Sequence, residues 1–157
     1  AAIRTAPSPL SVRPTRMTIL RHRLPVVTRE AIEVIDVTTS LRNWVRDSGI
    51  RDGLLTVMAL HTTARVHLNE RDPALQRDMV EYLTRLVPRE GSYEHNRHTV
   101  DGRDNAHAHL LGLALNASES IPVADGALIL GEWQSVFFVE LDGPRPHREM
   151  QLQLLGT

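Results

Sequence analysis

The C-terminal third of the chain constrains the fold most. It holds three strand-length apolar runs, 127–130, 132–141 and 147–155, with turn signals at Asp125-Gly126 and Asp142-Gly143-Pro144. Strands that follow one another across short turns, with no room for a crossover helix, favour a mainly antiparallel arrangement. Upstream, 16–24 (RMTILRHRL) and 30–37 (EAIEVIDV) alternate well enough for two more strands, with Pro25 and Thr28 marking the break between them. Two further strands are read at about 53–61 and over 65–70 (RVHLNE).

Three segments carry a helical period instead. Thr38, Thr39 or Ser40 can cap a helix over about 40–48, where Leu41, Trp44 and Val45 share a face and Ser48-Gly49 ends it. Asp72-Pro73 is a strong helix start, with an aspartate cap and proline at the first helical position. Leu75, Met79, Leu83, Leu86 and Val87 then recur at helical spacing until Pro88. A short third helix is read at about 105–116. Strands in runs, with about three helices not in strict alternation, predict an α+β domain. The expected architecture is a mainly antiparallel, β-sandwich-like sheet with helices on one side. Residues 1–15 read as an N-terminal arm and 16–157 as one domain.

Residue usage narrows the chemistry. Cysteine is absent, which removes disulfides and thiolate chemistry and suits a cytoplasmic setting. All 18 basic residues are arginine, so no lysine exists for a Schiff base or a P-loop. A net charge of −1 and two each of Trp, Tyr and Phe argue against a nucleic-acid binder. No apolar run approaches the roughly 18–20 residues of a membrane span, and the first residues do not read as a signal peptide.

The polar loop 89–104 and the helix after it concentrate chemistry. His95, His98, His107 and His109 fall within fifteen residues, beside Glu94, Asp101 and Asp104. Imidazoles suit zinc-like ions, and a sixteen-residue loop in a compact domain is more often functional than idle. On a helix, His107 and His109 point about 200° apart, whereas Asn105 and His109 share a face. His61 stands at a strand end, where it can reach a cleft. Glu70 ends the strand from 65 and can orient a ligand or act as a base. Gln134 needs a partner on its apolar strand. Arg145 and Arg148, flanking a turn, can grip a phosphate.

Taken in order, HTTA at 61–64, LNE at 68–70, DP at 72–73 and YEHN at 93–96 resemble the YjbQ family of small bacterial and archaeal proteins. So do AHL at 108–110, VADG at 123–126, G-x-WQ at 131–134 and ELDGPR at 140–145. The resemblance implies an α+β fold, a homotrimer and a pocket near a subunit boundary. It also implies a secondary thiamine-phosphate synthase activity, joining hydroxymethylpyrimidine diphosphate to thiazole phosphate with release of pyrophosphate. His61, His95 and His109 match the family's histidines and would hold a divalent metal, zinc-like by its ligands, although Mg²⁺ is the usual partner of a diphosphate. Glu70, Asp104 and Gln134 are then the candidate catalytic groups, and Arg145 and Arg148 the grip on a small phosphorylated substrate. The other readings are a metal-assisted phosphoester hydrolase and a non-enzymatic trimeric protein that binds metal or a metabolite. Arg65, His67, His98, Arg103, His107, Glu132 and Ser135 depart from the family pattern.

Overall fold

Strand residues 135–140, SVFFVE, are buried on both faces, and the rest of the protein is arranged around that fact. The computed structural model describes residues 16–157, so the arm expected at 1–15 lies outside the described residues. In chain order the elements are β1 (Thr18–Val26), β2 (Glu33–Asp36), α1 (Thr38–Ser48), β3 (Gly53–Ala59), β4 (Ala64–Glu70), α2 (Pro73–Leu86), α3 (Ala106–Leu111), β5 (Ser118–Ala124), β6 (Ala127–Leu128), β7 (Gln134–Glu140) and β8 (Arg148–Gly156). They build a five-stranded sheet, β1-β8-β3-β5-β6, and a three-stranded sheet, β2-β7-β4. Every pairing is antiparallel.

Successive side chains of a strand point to opposite faces, so β7 serves two cores. Val136 and Phe138 meet Leu55, Val57, Met150, Leu152 and Leu154 of the larger sheet, with Leu41 and Val45 of α1 closing that core. Phe137 and Val139 face the other way, against Leu83 of α2 and Ala108 and Leu111 of α3. The α+β expectation therefore holds, as two stacked sheets with α2 and α3 outside the smaller one.

Local rules set the helix ends. Asp72 caps α2 by accepting the Leu75 N–H at 2.6 Å, with Pro73 as its first residue. Helix α1 starts at Thr38 without a side-chain cap; the Thr38 hydroxyl instead accepts the Val136 N–H at 2.8 Å, pinning the helix start to β7. Gly49 ends α1 with φ at 75°, a left-handed conformation that glycine adopts without penalty. The third helix is shorter than its pattern predicts. Its continuation stops because the Arg65 guanidinium takes the Gly112 carbonyl at 3.0 Å, leaving one 3₁₀ turn over Gly112–Ala114. Strand β5 has no counterpart among the predicted elements: its polar Ser118, Glu119 and Ser120 and its Pro122 mask two inward residues, Ile121 and Val123. It is a strand because β3 pairs with it along six residues.

The two cores give a test. Phe138→Ala is expected to cost about 3–5 kcal/mol by removing a fully buried ring. Leu113→Ala, at a site 83% exposed, is expected to cost under about 1 kcal/mol. Urea unfolding of both variants, followed by circular dichroism, checks the contrast; equal losses would mean that the sheet interface is not the principal core.

Candidate functional site

An ion pair at the lower edge of the core organises the polar residues. Glu140, the last residue of β7, is fully buried, and Arg148, the first of β8, is 5% exposed. Arg148 donates through Nε to Glu140 Oε2 at 2.7 Å and through Nη2 to Oε1, while Nη2 also reaches the Thr63 hydroxyl at 2.9 Å. Glu140 accepts in addition from the Thr28 hydroxyl at 2.9 Å and from the backbone N–H groups of Leu141 and Asp142, at 3.0 and 2.9 Å. Burial alone would raise its pKa. The Arg148 and backbone hydrogen bonds outweigh that and hold it below the ordinary value, so the carboxylate stays ionised. Asp142, two residues on, is likewise ionised: burial works against it, but hydrogen bonds from Asn105 and Arg145 prevail.

Beside this pair lies a cleft of about 350 Å³ whose walls include His61, Thr63, Asp101, Asn105, His109, Arg145 and Arg148. The hydrogen bonds fix the state of its histidines. His61 Nε2 accepts the backbone N–H of Glu149 at 2.9 Å, so the neutral ring carries its proton on Nδ1. Burial, then the nearby Arg148 charge, lowers the His61 pKa and keeps the ring neutral near pH 7. Asn105 Nδ2 donates to Asp142 at 3.1 Å, which leaves Asn105 Oδ1 as the acceptor facing His95 Nε2, 3.2 Å away. His95 therefore donates from Nε2. Its ring stands edge-on to His109, with centroids 5.0 Å apart. Burial and then the His95 charge lower the His109 pKa too. His107 is 4% exposed and its pKa is lowered by burial and then Arg89. It lines a different groove, beside α2.

The residues singled out in sequence divide into two groups. His61, His109, Arg145 and Arg148 come together at the cleft, and His95 borders it through Asn105 and His109. Glu70 and Gln134 do not. They pair with each other at the far end of β4 and β7, six residues and about 20 Å along the strand from the Ala64–Glu140 pair. There Gln134 is exposed and its side chain accepts the Gly131 N–H at 2.7 Å. Asp104 and His98 are exposed and outside the cleft walls. The expected metal centre is corrected. Among the described residues no three His, Asp or Glu side chains gather as a group that could hold a metal ion. At His61 the cause is visible in the ring itself, since Nε2 accepts the Glu149 N–H and Nδ1 then carries the proton, leaving no lone pair for a metal. Asn105, Glu140 and Asp142 carry more of the site than sequence suggested. The signal available was Glu140, a charge at the end of the apolar run 132–141; Asp142 was read only as part of a turn, and Asn105 only as sharing a helix face with His109.

The family model described as UPF0047 protein YjbQ-like matches residues 22–157. The chain belongs to this family. A UPF0047 protein of Methanothermobacter thermautotrophicus is 39% identical over 140 residues, covering 89% of this chain and 94% of that protein. UPF0047 protein YugU of Bacillus subtilis is 34% identical over 134 residues, covering 85% and 97%. A YbjQ-like protein of unknown function from Sulfolobus solfataricus superposes with a TM-score of 0.85 at 34% identity, covering 90% of this chain and 100% of that one. These names bear out the family and the fold but carry no activity. The thiamine-phosphate synthase reading is thereby corrected, as are the metal-dependent enzyme and metal-binding readings that shared its histidine centre: the relatives bear family names only, a solved one is described as of unknown function, and the histidines form no metal-holding group.

The shifted groups imply an acid-labile fold. His61, His107 and His109 have folded pKa values below the ordinary 6.5, so their contribution is present in full above that pH and is lost as pH falls through the lowered values. Glu140 and Asp142, depressed below 4.5 and 3.8, add a second loss at lower pH. The thermal midpoint is expected to be flat at mildly alkaline pH, to decline below about 6.5 and to drop again below about 4.5. A midpoint that stays level down to about pH 5 would show that the three imidazoles are not held neutral by the fold.

Proposed function

We propose that the cleft binds a small phosphorylated molecule through donors supplied by the protein itself. The observation that carries this is the polarity of its wall. His61 is restricted to an Nδ1–H donor by the Glu149 backbone. Arg148 and Arg145 each use Nε and Nη2 on protein acceptors, and on each Nη1 makes no hydrogen bond among the described residues. A held guanidinium with a remaining N–H edge is preorganised for a phosphate oxygen, because its orientation needs no further ordering on binding. Glu140 and Asp142 offset the two cationic charges, so the cleft selects by geometry more than by bulk charge. His109, neutral and at the same wall, supplies an imidazole able to donate or accept one proton beside the bound group.

The reading includes self-association of the chain as a trimer in solution. What supports this is an apolar row on the outer face of the larger sheet, where Ile19, Leu155 and Leu54 stand opposite one another across β1, β8 and β3. They are 51%, 36% and 40% exposed, a patch of the kind that marks interaction surfaces.

Titration calorimetry with phenyl phosphate, at pH 7.5 and low salt, tests the cleft. Arg145→Gln is expected to weaken binding by roughly ten- to a hundredfold, the range for one hydrogen bond to a charged group. No heat with phenyl phosphate, or equal heats in both proteins, would remove the proposal. For the assembly, light scattering should give three chains per particle and Leu54→Arg should lower that mass; an unmodified protein that runs as a monomer would end the trimer reading.

A further inference from the structure

A second cavity, of about 140 Å³, lies between α2 and the outward face of the three-stranded sheet. It is separate from the cleft in its lining residues. Its walls are Val34, Met79, Leu83, Leu115, Phe137 and Val139, with Tyr82 at the edge. Two polar side chains from β4, His67 and Asn69, enter this apolar lining. They lie two residues apart, hence on the same face of the strand, about 7 Å from each other along it.

The hydrogen-bonding state of these two groups is asymmetric. His67 Nδ1 is buried and has no partner among the described residues. A buried N–H with no acceptor is rarer and more costly than an unused acceptor lone pair, which assigns the bare nitrogen to Nδ1 and an N–H to Nε2. That nitrogen makes no hydrogen bond among the described residues and, unlike Nδ1, is not sealed off. Asn69 uses its Oδ1 on the Glu70 N–H at 2.9 Å, which leaves its amide NH₂ as the remaining group. Apart from the Tyr82 hydroxyl at the edge, the polar contribution to the cavity is thus two donors. A cavity of this volume with aliphatic and aromatic walls takes a molecule of about one six-membered ring, the size of benzene.

We infer that this cavity is a binding site for a small, compact apolar molecule bearing one acceptor oxygen, a carbonyl on a single ring or its aliphatic equivalent. The ring fills the space against Leu83, Phe137 and Val139, and the oxygen accepts from His67 Nε2–H and the Asn69 amide. Neither the family names nor the cleft assigns this site, and it does not depend on phosphate binding.

Cyclohexanone is the probe, with cyclohexane as the matched ring lacking the oxygen. Methyl and imidazole NMR spectra of the full chain are recorded during titration with each. Cyclohexanone is expected to shift the Met79, Leu83 and Leu115 methyls together with the His67 ring signals, and to bind more tightly than cyclohexane. His67→Phe keeps the ring shape and deletes the donor; it is expected to reduce cyclohexanone affinity by roughly two- to tenfold and leave cyclohexane unchanged. Asn69→Ala, close to the surface, gives a second reading of the same kind if His67→Phe does not fold. The inference is overturned if cyclohexanone at millimolar concentration leaves those methyls unmoved. It is equally overturned if the unmodified protein binds the ketone and the hydrocarbon alike, which would make the cavity a hydrophobic slot without polar recognition.

Discussion

The buried Glu140–Arg148 pair is the constraint on which the polar half of this protein depends. Taking two charges out of water costs several kcal/mol per ion, and their mutual attraction recovers this only when the remaining lone pairs and protons are matched as well. Here they are matched closely: Glu140 draws donors from Arg148, Thr28 and two backbone N–H groups. That requirement fixes several segments at once. It ties the β1–β2 connection at Thr28 and the β7–β8 connection at Asp142 to the Glu140 carboxylate, and the β3–β4 connection at Thr63 to the Arg148 guanidinium. Deleting either partner would strand the other charge. The pair therefore acts less as a source of net stability than as a device that forces three loops into one arrangement.

From that arrangement the cleft inherits its proton pattern. Asp142 accepts, so Asn105 must donate to it and turn its carbonyl to His95, and His95 must then donate in turn. The Glu149 N–H meanwhile takes His61 Nε2. Each tautomer follows from an acceptor or donor that the backbone or a buried carboxylate has already fixed. A metal site needs lone pairs converging on one point; His61 offers none, because its Nε2 accepts the Glu149 N–H, and no three His, Asp or Glu side chains gather among the described residues. His61, which looks like a ligand when counted along the chain, becomes an Nδ1–H donor once its partner is known.

How much of this was legible in sequence depends on the range of the interaction. Asp72-Pro73 is a local signal, and α2 begins there with its cap bonded as expected. The three strands of the C-terminal third were legible from their turn spacing, but their partners were not: β6 pairs with β5, β7 with β2 and β4, and β8 with β1 and β3, so the turn after β7 crosses between sheets. Strand β5 did not announce itself, since Ser118, Glu119, Ser120 and Pro122 carry no strand preference and only pairing with β3 makes them extended. The third helix was overextended because Arg65, forty-seven residues away, takes the carbonyl at Gly112. The site shows the same division. Residue types at 61, 109, 145 and 148 marked the cleft, but which nitrogen each offers is set by Glu149, Asn105, Asp142 and Glu140, and no spacing rule connects those positions.

The division of the conspicuous residues between two ends of one strand pair bears on how motifs in this family should be read. Residues 61–64 and 140–148 meet at one end of β4 and β7, whereas Glu70 and Gln134 meet at the other. Antiparallel pairing makes this unavoidable: residues at the start of β4 sit opposite the end of β7, and advancing along one strand retreats along the other. A motif running from HTTA to LNE thus spans the length of the sheet and cannot converge on one point within a single chain. Glu70 shares its surroundings with Arg42, Arg71, Glu132 and Trp133, not with the histidines. Any role for Glu70 and Gln134 within this chain must therefore be exercised at that end, on a surface chemically distinct from the donor-lined cleft.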